Sequence, residues 1–265
     1  MLIAQLSDPH IRPRGELYQG LVDSNAMFEA AVRQLGNMRP RPDVVLISGD
    51  LVDEGSAAEY AMARDLLERI EAPLLLISGN HDEREAFRDG LGGLAPLAPS
   101  GPLHVVADDL GPVRIVGWDI TVPGKHHGDC DDEAIAWLDA TLAQAPDRPT
   151  LLMMHHPPFA SGILCIDAYM CLRGERLAEV VRRYPAVERI VCGHIHRHMQ
   201  LGFGGTSLCT APSTTTAIAL NLTDDATPAS YVEPPAFLLH HWRPETGLIT
   251  HHVPVGDFRG PLPFA

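Results

Sequence analysis

Apolar runs of strand length recur along this chain, and each is followed by a polar segment that carries Asp, Asn or His. The runs with their polar ends are LIAQLSDPH, VVLISGD, LLLISGNHD, TLLMMHHPP and ERIVCGHIH. Strands that are apolar throughout indicate sheets covered on both faces. In such a fold the strand ends are the places where polar side chains can gather.

Segments with helical spacing of apolar residues separate these runs. Four of them are 25–35, 57–70, 133–144 and 174–184. Strands that alternate with helices predict an α/β fold, in which the strand ends can carry a site.

The pattern changes after residue 198. HMQLGFGG, TSLCTA, AFLLHHW and GLITHHV read as strands, with RPETG as a hairpin turn between the last two, and they predict a second, more antiparallel sheet. Residues 212–235 are rich in Ser, Thr and Pro, which predicts a long ordered loop. With no clear linker or repeat, we predict a single domain over 1–265. Its C-terminal strands, about 236–253, are expected to complete the second sheet or to form an oligomer contact.

The composition limits the partners. A formal net charge of −14 argues against a nucleic-acid polymer or an anionic membrane as the main partner, although it allows a small phosphate substrate. We see no secretory signal, and the apolar runs are too short to cross a bilayer, so we expect a cytoplasmic protein. The five cysteines form no C-x-x-C pair, which argues against a disulfide framework or a thiolate zinc site.

The polar strand ends are weak signals one by one. An Asp or Asn after a strand is more often a turn or a helix cap, and a single histidine is more often a hydrogen-bonded structural residue. Their weight comes from the set, because parallel strands carry their C-terminal ends to one edge of a sheet. Carboxylates packed there would repel each other, and bound cations would relieve the repulsion. The fourteen histidines of the chain also favour a metal site.

The order of these polar blocks is informative. DPH, GDLVDEG, GNHD, HHPP and GHIH stand in the order typical of the calcineurin-like binuclear metallophosphoesterases, and the chain resembles that family over residues 8–196. The resemblance is strongest to the bacterial class III cyclic-nucleotide phosphodiesterases and the related glycerophosphodiesterases. It implies an α/β fold of the four-layer αββα type, with two mixed β-sheets flanked by helices and a pair of metal ions at the sheet edge.

The resemblance also implies a set of site residues. Asp8, His10 and His196 would hold the first ion, Asp50 would bridge the two ions, and Asn80, His155 and His194 would complete the second. His81 resembles the family histidine that stabilises the transition state or helps the leaving group, and we take it as the catalytic residue. Oxygen and imidazole ligands without thiolate fit two divalent ions of Fe, Mn, Zn or Co. Because Asn80 is neutral, we expect the second ion to bind more weakly.

The predicted activity is hydrolysis of small phosphodiesters, either glycerophosphodiesters or cyclic nucleotides, by a hydroxide that bridges the two ions. Two alternatives stay open: a broad phosphomonoesterase or nuclease with the same core, and a metal-binding regulatory protein without catalysis. Candidates for the pocket rim are segments 11–20, 121–130 and 159–173, and candidate substrate contacts are Arg12, Arg14 and Tyr18, for which surface or packing roles are equally consistent.

Other polar residues near the blocks are expected to act differently. Asp53, Asp82 and His156 are predicted to support the ligands or to be structural. His198 falls outside the GHIH block and is predicted to be an ordinary strand or surface histidine. Four histidines of the C-terminal hairpin are predicted to lie on strand faces: His240, His241, His251 and His252.

Overall fold

The computed structural model of the chain describes residues 1–263. Its strands are β1 (Leu2–Leu6), β2 (Val44–Ser48), β3 (Leu74–Ile77), β4 (Val105–Ala107), β5 (Arg114–Gly117), β6 (Gly128–Asp129), β7 (Thr150–Met153), β8 (Cys171–Leu172), β9 (Val187–Cys192), β10 (Met199–Phe203), β11 (Thr206–Thr210), β12 (Ala217–Ile218), β13 (Ser230–Tyr231), β14 (Ala236–Arg243) and β15 (Gly247–Pro254). Its helices are α1 (Ser24–Asn37), α2 (Ala57–Leu67), α3 (Arg84–Leu91), α4 (Asp132–Ala143), α5 (Leu164–Asp167) and α6 (Gly174–Val181).

Local sequence sets where the longer helices begin. The Asp23 side chain accepts a hydrogen bond from the backbone N–H of Ala26 at the start of α1. At the start of α2, Ser56 and Glu59 form a reciprocal capping box. Such caps satisfy backbone donors that have no partner inside the helix, and each contributes about 1 kcal/mol.

The strands form two mixed sheets and two short pairs. The first sheet has the order β15-β14-β1-β2-β3, and the second has the order β10-β11-β9-β7-β5-β4. Strands β1, β2 and β3 are parallel, as are β5, β7, β9 and β11, whereas β4, β10, β14 and β15 pair antiparallel. Four of the five strands that carry the polar blocks therefore lie inside a sheet, and the fifth, β3, is an edge strand of the first sheet.

The layers follow from alternate side chains of the strands. In β1, Ala4 and Leu6 pack with α1, α2 and α3, whereas Ile3 faces the second sheet. On the outer face of the second sheet, Leu152 and Ile190 pack with α4 and α6. The order of layers is helices, sheet, sheet, helices, so the predicted αββα sandwich is confirmed.

The C-terminal strands lie elsewhere than predicted. The four strands after residue 198 do not form a sheet of their own, because β10 and β11 extend the second sheet while β14 and β15 extend the first. β14 pairs antiparallel with β1, from Leu2 opposite His241 to Gln5 opposite Leu238. This pairing covers the edge of β1 that would otherwise expose unpaired backbone groups. The predicted turn at RPETG is confirmed between β14 and β15.

A buried polar network joins the two sheets. Gln5 of β1 donates to Ser48 Oγ at 2.9 Å and to the carbonyl of Cys192 at 3.0 Å. Its own carbonyl oxygen lies 3.2 Å from His240 Nε2, and His240 Nδ1 lies 2.8 Å from Thr250 Oγ1. His240 is also fully buried, whereas His251 and His252 are exposed. The prediction that His240 lies on an ordinary strand face omitted this role between the sheets.

Among residues 1–263, no helix combines the length and apolar character needed to cross a membrane. All five cysteines are free thiols, and four of them are buried while Cys165 is half-buried.

Candidate metal centre

The five polar blocks meet at one edge of the molecule, where strands of both sheets have their C-terminal ends. Asp8 follows β1, Asp50 follows β2, Asn80 follows β3, His155 follows β7, and His194 follows β9. Six of the seven predicted ligands are buried, and Asn80 is half-buried. The structure thus brings together side chains that the strand pattern places at one edge.

The backbone at these positions is unusual. Seven non-glycine residues among those described have positive φ, and five of them are predicted ligands: Asp8 (52°), His10 (44°), Asp50 (48°), His194 (72°) and His196 (53°). The left-handed region costs about 1–2 kcal/mol per residue for side chains with a Cβ. His194 and His196 therefore do not lie in extended backbone. Strain collected in this way is a mark of functional sites.

Glycines allow the close approach. A Cβ on Gly79 would overlap Asp50 Oδ1, and a Cβ on Gly193 would overlap Ser7 Oγ. Gly49 has φ +99°, and a Cβ there would overlap the ring of His155. Glycine before Asp50, Asn80 and His194 is thus required by packing against a neighbouring block.

The first cluster contains Asp8, His10 and His196. His10 Nε2 lies 3.1 Å from His196 Nε2, and His196 Nε2 lies 3.5 Å from Asp8 Oδ1. One ligand atom from each of the three residues falls within 4.8 Å of the others. Two imidazole nitrogens and a carboxylate oxygen at this separation could hold one cation.

The second cluster shares Asp50 with the first. Asp50 Oδ2 lies 3.3 Å from His155 Nε2 and 3.8 Å from His10 Nε2, so one carboxylate reaches both clusters. His155 Nε2, His194 Nε2 and Asn80 Oδ1 are buried atoms without a hydrogen-bond partner. A buried polar atom without a partner costs about 1–3 kcal/mol, and a cation held by these three strand ends would give each of the atoms a partner.

Hydrogen bonds fix which ring nitrogens face the clusters. His155 Nδ1 lies 2.8 Å from the carbonyl of Ser48, and His196 Nδ1 lies 2.9 Å from the carbonyl of Thr216. A carbonyl can only accept, so Nδ1 carries a proton in both rings, and Nε2 is the nitrogen that can bind a cation. The motifs did not reveal Thr216, because it contributes a backbone carbonyl; its only signal is the small polar stretch PSTTT that begins the predicted loop.

The electrostatics also favour cations. Burial alone would raise the pKa of Asp50, but the surrounding imidazoles, His155 foremost, hold it well below its usual value. Burial disfavours the charged form of His155, but Asp50 raises the pKa of that histidine to about 9. The buried carboxylates therefore attract positive charge, and the oxygen and nitrogen donor set fits two divalent cations.

An open cleft leads to the clusters. It has a volume of about 280 Å³ and is lined by His10, Tyr18, Gln19, Asp50, Asn80, His81, His126, Ile166, Tyr169, His194, His196, Ile218 and Ser230. Each of the three predicted rim segments contributes, with Tyr18 from 11–20, His126 from 121–130 and Tyr169 from 159–173. His81 Nδ1 lies 2.7 Å from the carbonyl of Asp53, which leaves its Nε2 for the cleft.

The sequence also matches a known protein family. A model of the family described as calcineurin-like phosphoesterase matches residues 1–198. The chain belongs to this family. The family and the fold predicted from the motifs are thereby confirmed.

Individual relatives agree with this assignment. The chain is 34% identical over 265 residues to the probable glycerophosphodiester phosphodiesterase GpdQ of Arcobacter nitrofigilis, a match that covers 100% of this chain and 97% of the relative. It is 33% identical over 228 residues to a probable cyclic nucleotide phosphodiesterase of Rhodococcus erythropolis, covering 83% of this chain and 73% of the relative. A crystal structure of a dimetal phosphatase from Danio rerio has a TM-score of 0.66 and 15% identity over 97% of this chain and 99% of that chain, which supports the fold alone.

In this calcineurin-like phosphoesterase, Asp82 and Asp53 contact the polar blocks, in agreement with the supporting or structural roles predicted for them. Asp82 accepts from the backbone N–H groups of Gly79 at 2.9 Å and Leu51 at 3.1 Å, which fixes the loops after β2 and β3. Asp53 Oδ1 lies 3.5 Å from His10 Nδ1, on the side of that ring away from the cluster. Such partners orient metal-binding side chains.

Of the candidate substrate contacts, the structure favours only Tyr18. Its ring stacks on His10 with centroids 4.6 Å apart. Arg12 forms ion pairs with carboxylates, with its Nη1 2.9 Å from both Asp53 and Glu59, so its role is to stabilise the fold. Arg14 is exposed and does not line the cleft.

The remaining histidines of the blocks take separate roles. His156 is buried, and its Nε2 lies 3.1 Å from the carbonyl of His126. His198 Nδ1 lies 2.9 Å from the carbonyl of Thr210, and His198 does not line the cleft. His198 is thus an exposed histidine directly before β10, whereas His156 lies beside the proposed ligands His155 and His194.

Proposed function

We propose that the chain is a metal-dependent phosphodiesterase that acts on small phosphodiesters, with glycerophosphodiesters as the preferred class. The observation that carries this proposal is the group of buried His and Asp side chains beside an open cleft, in which the Asp50 carboxylate contacts both His10 and His155. Asp8, His10 and His196 would hold one cation, and Asn80, His155 and His194 the other, with Asp50 between them.

Two bound divalent cations would neutralise charge on the phosphoryl group and make water a nucleophile near neutral pH. The chain's own part is to hold the ligands rigidly and to supply a proton at the cleft. Burial disfavours the charged form of His81, but Asp50 and the carbonyl of Asp53 outweigh it and raise the His81 pKa. A protonated His81 with Nε2 toward the cleft is suited to give a proton to the departing alcohol.

The preference for glycerophosphodiesters draws support from coverage. The match to the Arcobacter relative includes the whole of this chain, whereas the match to the Rhodococcus relative covers 83% of it. A cleft of about 280 Å³ also suits a small substrate. Cyclic nucleotides are the second candidate, since the cleft offers Tyr18 and Tyr169 as rings on which a base could stack.

The decisive experiment compares substrates on protein reconstituted with a defined metal. We expect Mn- or Co-loaded protein to hydrolyse glycerophosphoethanolamine with a higher kcat/KM than cyclic AMP, and bis(p-nitrophenyl) phosphate faster than p-nitrophenyl phosphate. His81→Ala should keep both metals and lose about 10²–10⁴-fold in kcat, the usual contribution of a general acid.

Two outcomes would contradict the proposal. Preference for the monoester would favour the phosphomonoesterase alternative, and absence of turnover with two bound metals would favour a regulatory metal-binding protein. A cytoplasmic location, homo-oligomer formation and the absence of membrane and nucleic-acid partners stay predictions of the same proposal.

A further inference from the structure

Two aromatic side chains that belong to no ligand block form one wall of the cleft. The rings of His126 and Tyr169 meet edge to face with centroids 5.5 Å apart, and the His126 ring lies 6.3 Å from that of His81. Both side chains are exposed and both line the cleft. The wall thus extends outward from the proposed catalytic residue.

The backbone of His126 is anchored to the metal centre. The carbonyl of His126 accepts a hydrogen bond from His156 Nε2 at 3.1 Å, and the ring of His156 packs on that of His194 with centroids 4.6 Å apart. A Cβ on Gly128 would come within 2.8 Å of His156 Nδ1, so glycine lets this segment lie against the ring. The position of His126 is therefore set by a residue adjacent to a proposed ligand.

Tyr169 is anchored through a small apolar cluster. Its neighbour Met170 packs with Ile163 on Ile195, the fully buried residue between His194 and His196. The strand pair β6–β8 then joins the two segments, and Arg173 holds Asp129 with two hydrogen bonds of 2.8 and 2.6 Å across that pair. Residues held in this way bind a ligand without a large ordering cost.

The neighbouring histidine provides a contrast. His127 Nδ1 lies 3.3 Å from the carbonyl of Gly128, and the His127 side chain does not line the cleft. Two adjacent histidines of the segment KHHGD therefore differ in whether they line the cleft.

We propose that His126 and Tyr169 bind the hydroxyl-bearing alcohol substituent of the substrate, such as a glycerol group, while the phosphoryl group lies at the metal centre. This inference rests on the proposed function. An imidazole and a phenol both exchange hydrogen bonds with hydroxyl groups, and their ring faces contact the carbon chain. The wall therefore governs which diesters bind well, whereas the metal centre governs reaction.

The test measures binding, so that it does not depend on turnover. Calorimetry on Mn-loaded protein would compare glycerol 3-phosphate with inorganic phosphate, because the two differ by the substituent alone. We expect glycerol 3-phosphate to bind more tightly than phosphate to the unaltered protein. His126→Ala and Tyr169→Ala should each weaken glycerol 3-phosphate at least about fivefold, the loss of one hydrogen bond, and leave phosphate within about twofold.

Matched variants separate this role from a structural one. His127→Ala should change neither affinity, and Tyr169→Phe should keep part of the affinity because the ring remains. Metal content and melting temperature should be those of the unaltered protein in every variant. Equal losses for phosphate and glycerol 3-phosphate, or equal effects of His126→Ala and His127→Ala, would overturn the proposal.

Kinetics distinguish its failure from failure of the proposed function. With glycerophosphoethanolamine, His126→Ala and Tyr169→Ala should raise KM at least about fivefold and change kcat by less than about twofold, as expected for contacts made equally in the ground and transition states. Absence of diester turnover by the unaltered protein would refute the proposed function, and the calorimetry would still decide whether the wall binds the substituent.

Discussion

Glycine stands directly before three of the proposed ligands, where any side chain would overlap a neighbouring block. At Gly79 the overlap is with the carboxylate and backbone N–H of Asp50, the residue that both clusters share. Positive φ at the ligands themselves adds a local cost that packing must offset. Single backbone positions therefore decide whether the ligand atoms can converge.

This dependence can be measured at Gly79. Gly79→Ala should push Asp50 away from its position, lower the free energy of unfolding by about 1–3 kcal/mol as overpacked sites do, and reduce the number of bound metal ions. The measurements are thermal unfolding and metal content by mass spectrometry. Normal metal content with normal stability would show that the loops adjust freely.

Gly36→Ala is the matched control. A Cβ on Gly36 in α1 meets nothing within 4 Å. Alanine is favoured over glycine inside helices by up to about 1 kcal/mol, so this variant should be as stable as the original or slightly more stable. Its metal content should not change.

The three alternate histidines of CGHIHRH differ in role. His196→Ala should empty the first cluster, because His196 Nε2 is the partner of His10 Nε2 at 3.1 Å. His198→Ala should leave two metals bound and most activity intact, since His198 bonds to the carbonyl of Thr210 instead. Metal content of the two variants, prepared in parallel, checks this expectation; loss of metal in His198→Ala would contradict it.

Because Asn80 is neutral, the two metal ions should bind with unequal affinity. Asp50 is the only carboxylate among the proposed ligands of the second ion, whereas the first also has Asp8, so the second ion should bind more weakly. Titration of metal-free protein with limiting Mn or Co should show about one tightly bound ion per chain before the second binds. Equal and tight occupancy from the first additions would refute this.

Among the elements, β14 has the least expected role. It pairs with β1 and brings His240 into the network of Gln5 and Thr250 between the sheets. Burial, with Arg189 nearby, lowers the pKa of His240 from 6.5 to about 3. The folded protein therefore keeps His240 neutral at acidities where the unfolded chain would bind a proton.

The resulting pH dependence has a definite sign. Because the unfolded chain binds the extra proton below pH 6.5, the contribution of His240 to stability is complete above that pH and is lost as pH falls toward about 3. The loss amounts to about 5 kcal/mol at the acid end. In His240→Gln, which has no such proton site, the free energy of unfolding should fall less steeply between pH 6 and pH 4.

Urea unfolding across this pH range is the measurement. His251→Gln is the control, because His251 lies on the paired strand β15 and its side chain is exposed. That variant should follow the original protein. If the free energy of unfolding of His240→Gln and of the original protein fell equally with pH, His240 would be excluded as the source of the acid sensitivity.

Elements of the fold differ in how far the sequence predicts them. The strands that carry the blocks could be predicted, because apolar runs and polar ends are local signals, and parallel strands bring such ends to one edge. The partner of β14 could not, since pairing with β1 joins residues 236–243 to 2–6 and no local pattern records that contact. The carbonyl of Thr216 was missed for the same reason, and the contact between His126 and Tyr169 was not foreseen although both residues lie in predicted rim segments, because these roles arise from tertiary contacts.

On the scale of the whole molecule, the metal centre lies across the junction of the two sheets. Asp8, Asp50 and Asn80 follow strands of the first sheet, whereas His155 and His194 follow strands of the second. Cations held by both sets would link the sheets and neutralise buried carboxylates in a chain with a net charge of −14. Metal binding should therefore stabilise the entire fold, because the unfolded chain has no such cluster.

Removal of the metals should lower the melting temperature. At a free metal concentration of about one hundred times the dissociation constant, binding contributes about 2.7 kcal/mol, which for a chain of this size corresponds to a shift of about 5–10 °C. Calorimetry of chelator-treated and reconstituted protein would measure it, and the shift should grow with metal concentration. Asp50→Asn should lose most of the shift, since it weakens both clusters at once, while His198→Ala should keep it. Identical melting temperatures with and without metal would mean that the clusters do not bind cations in the folded state.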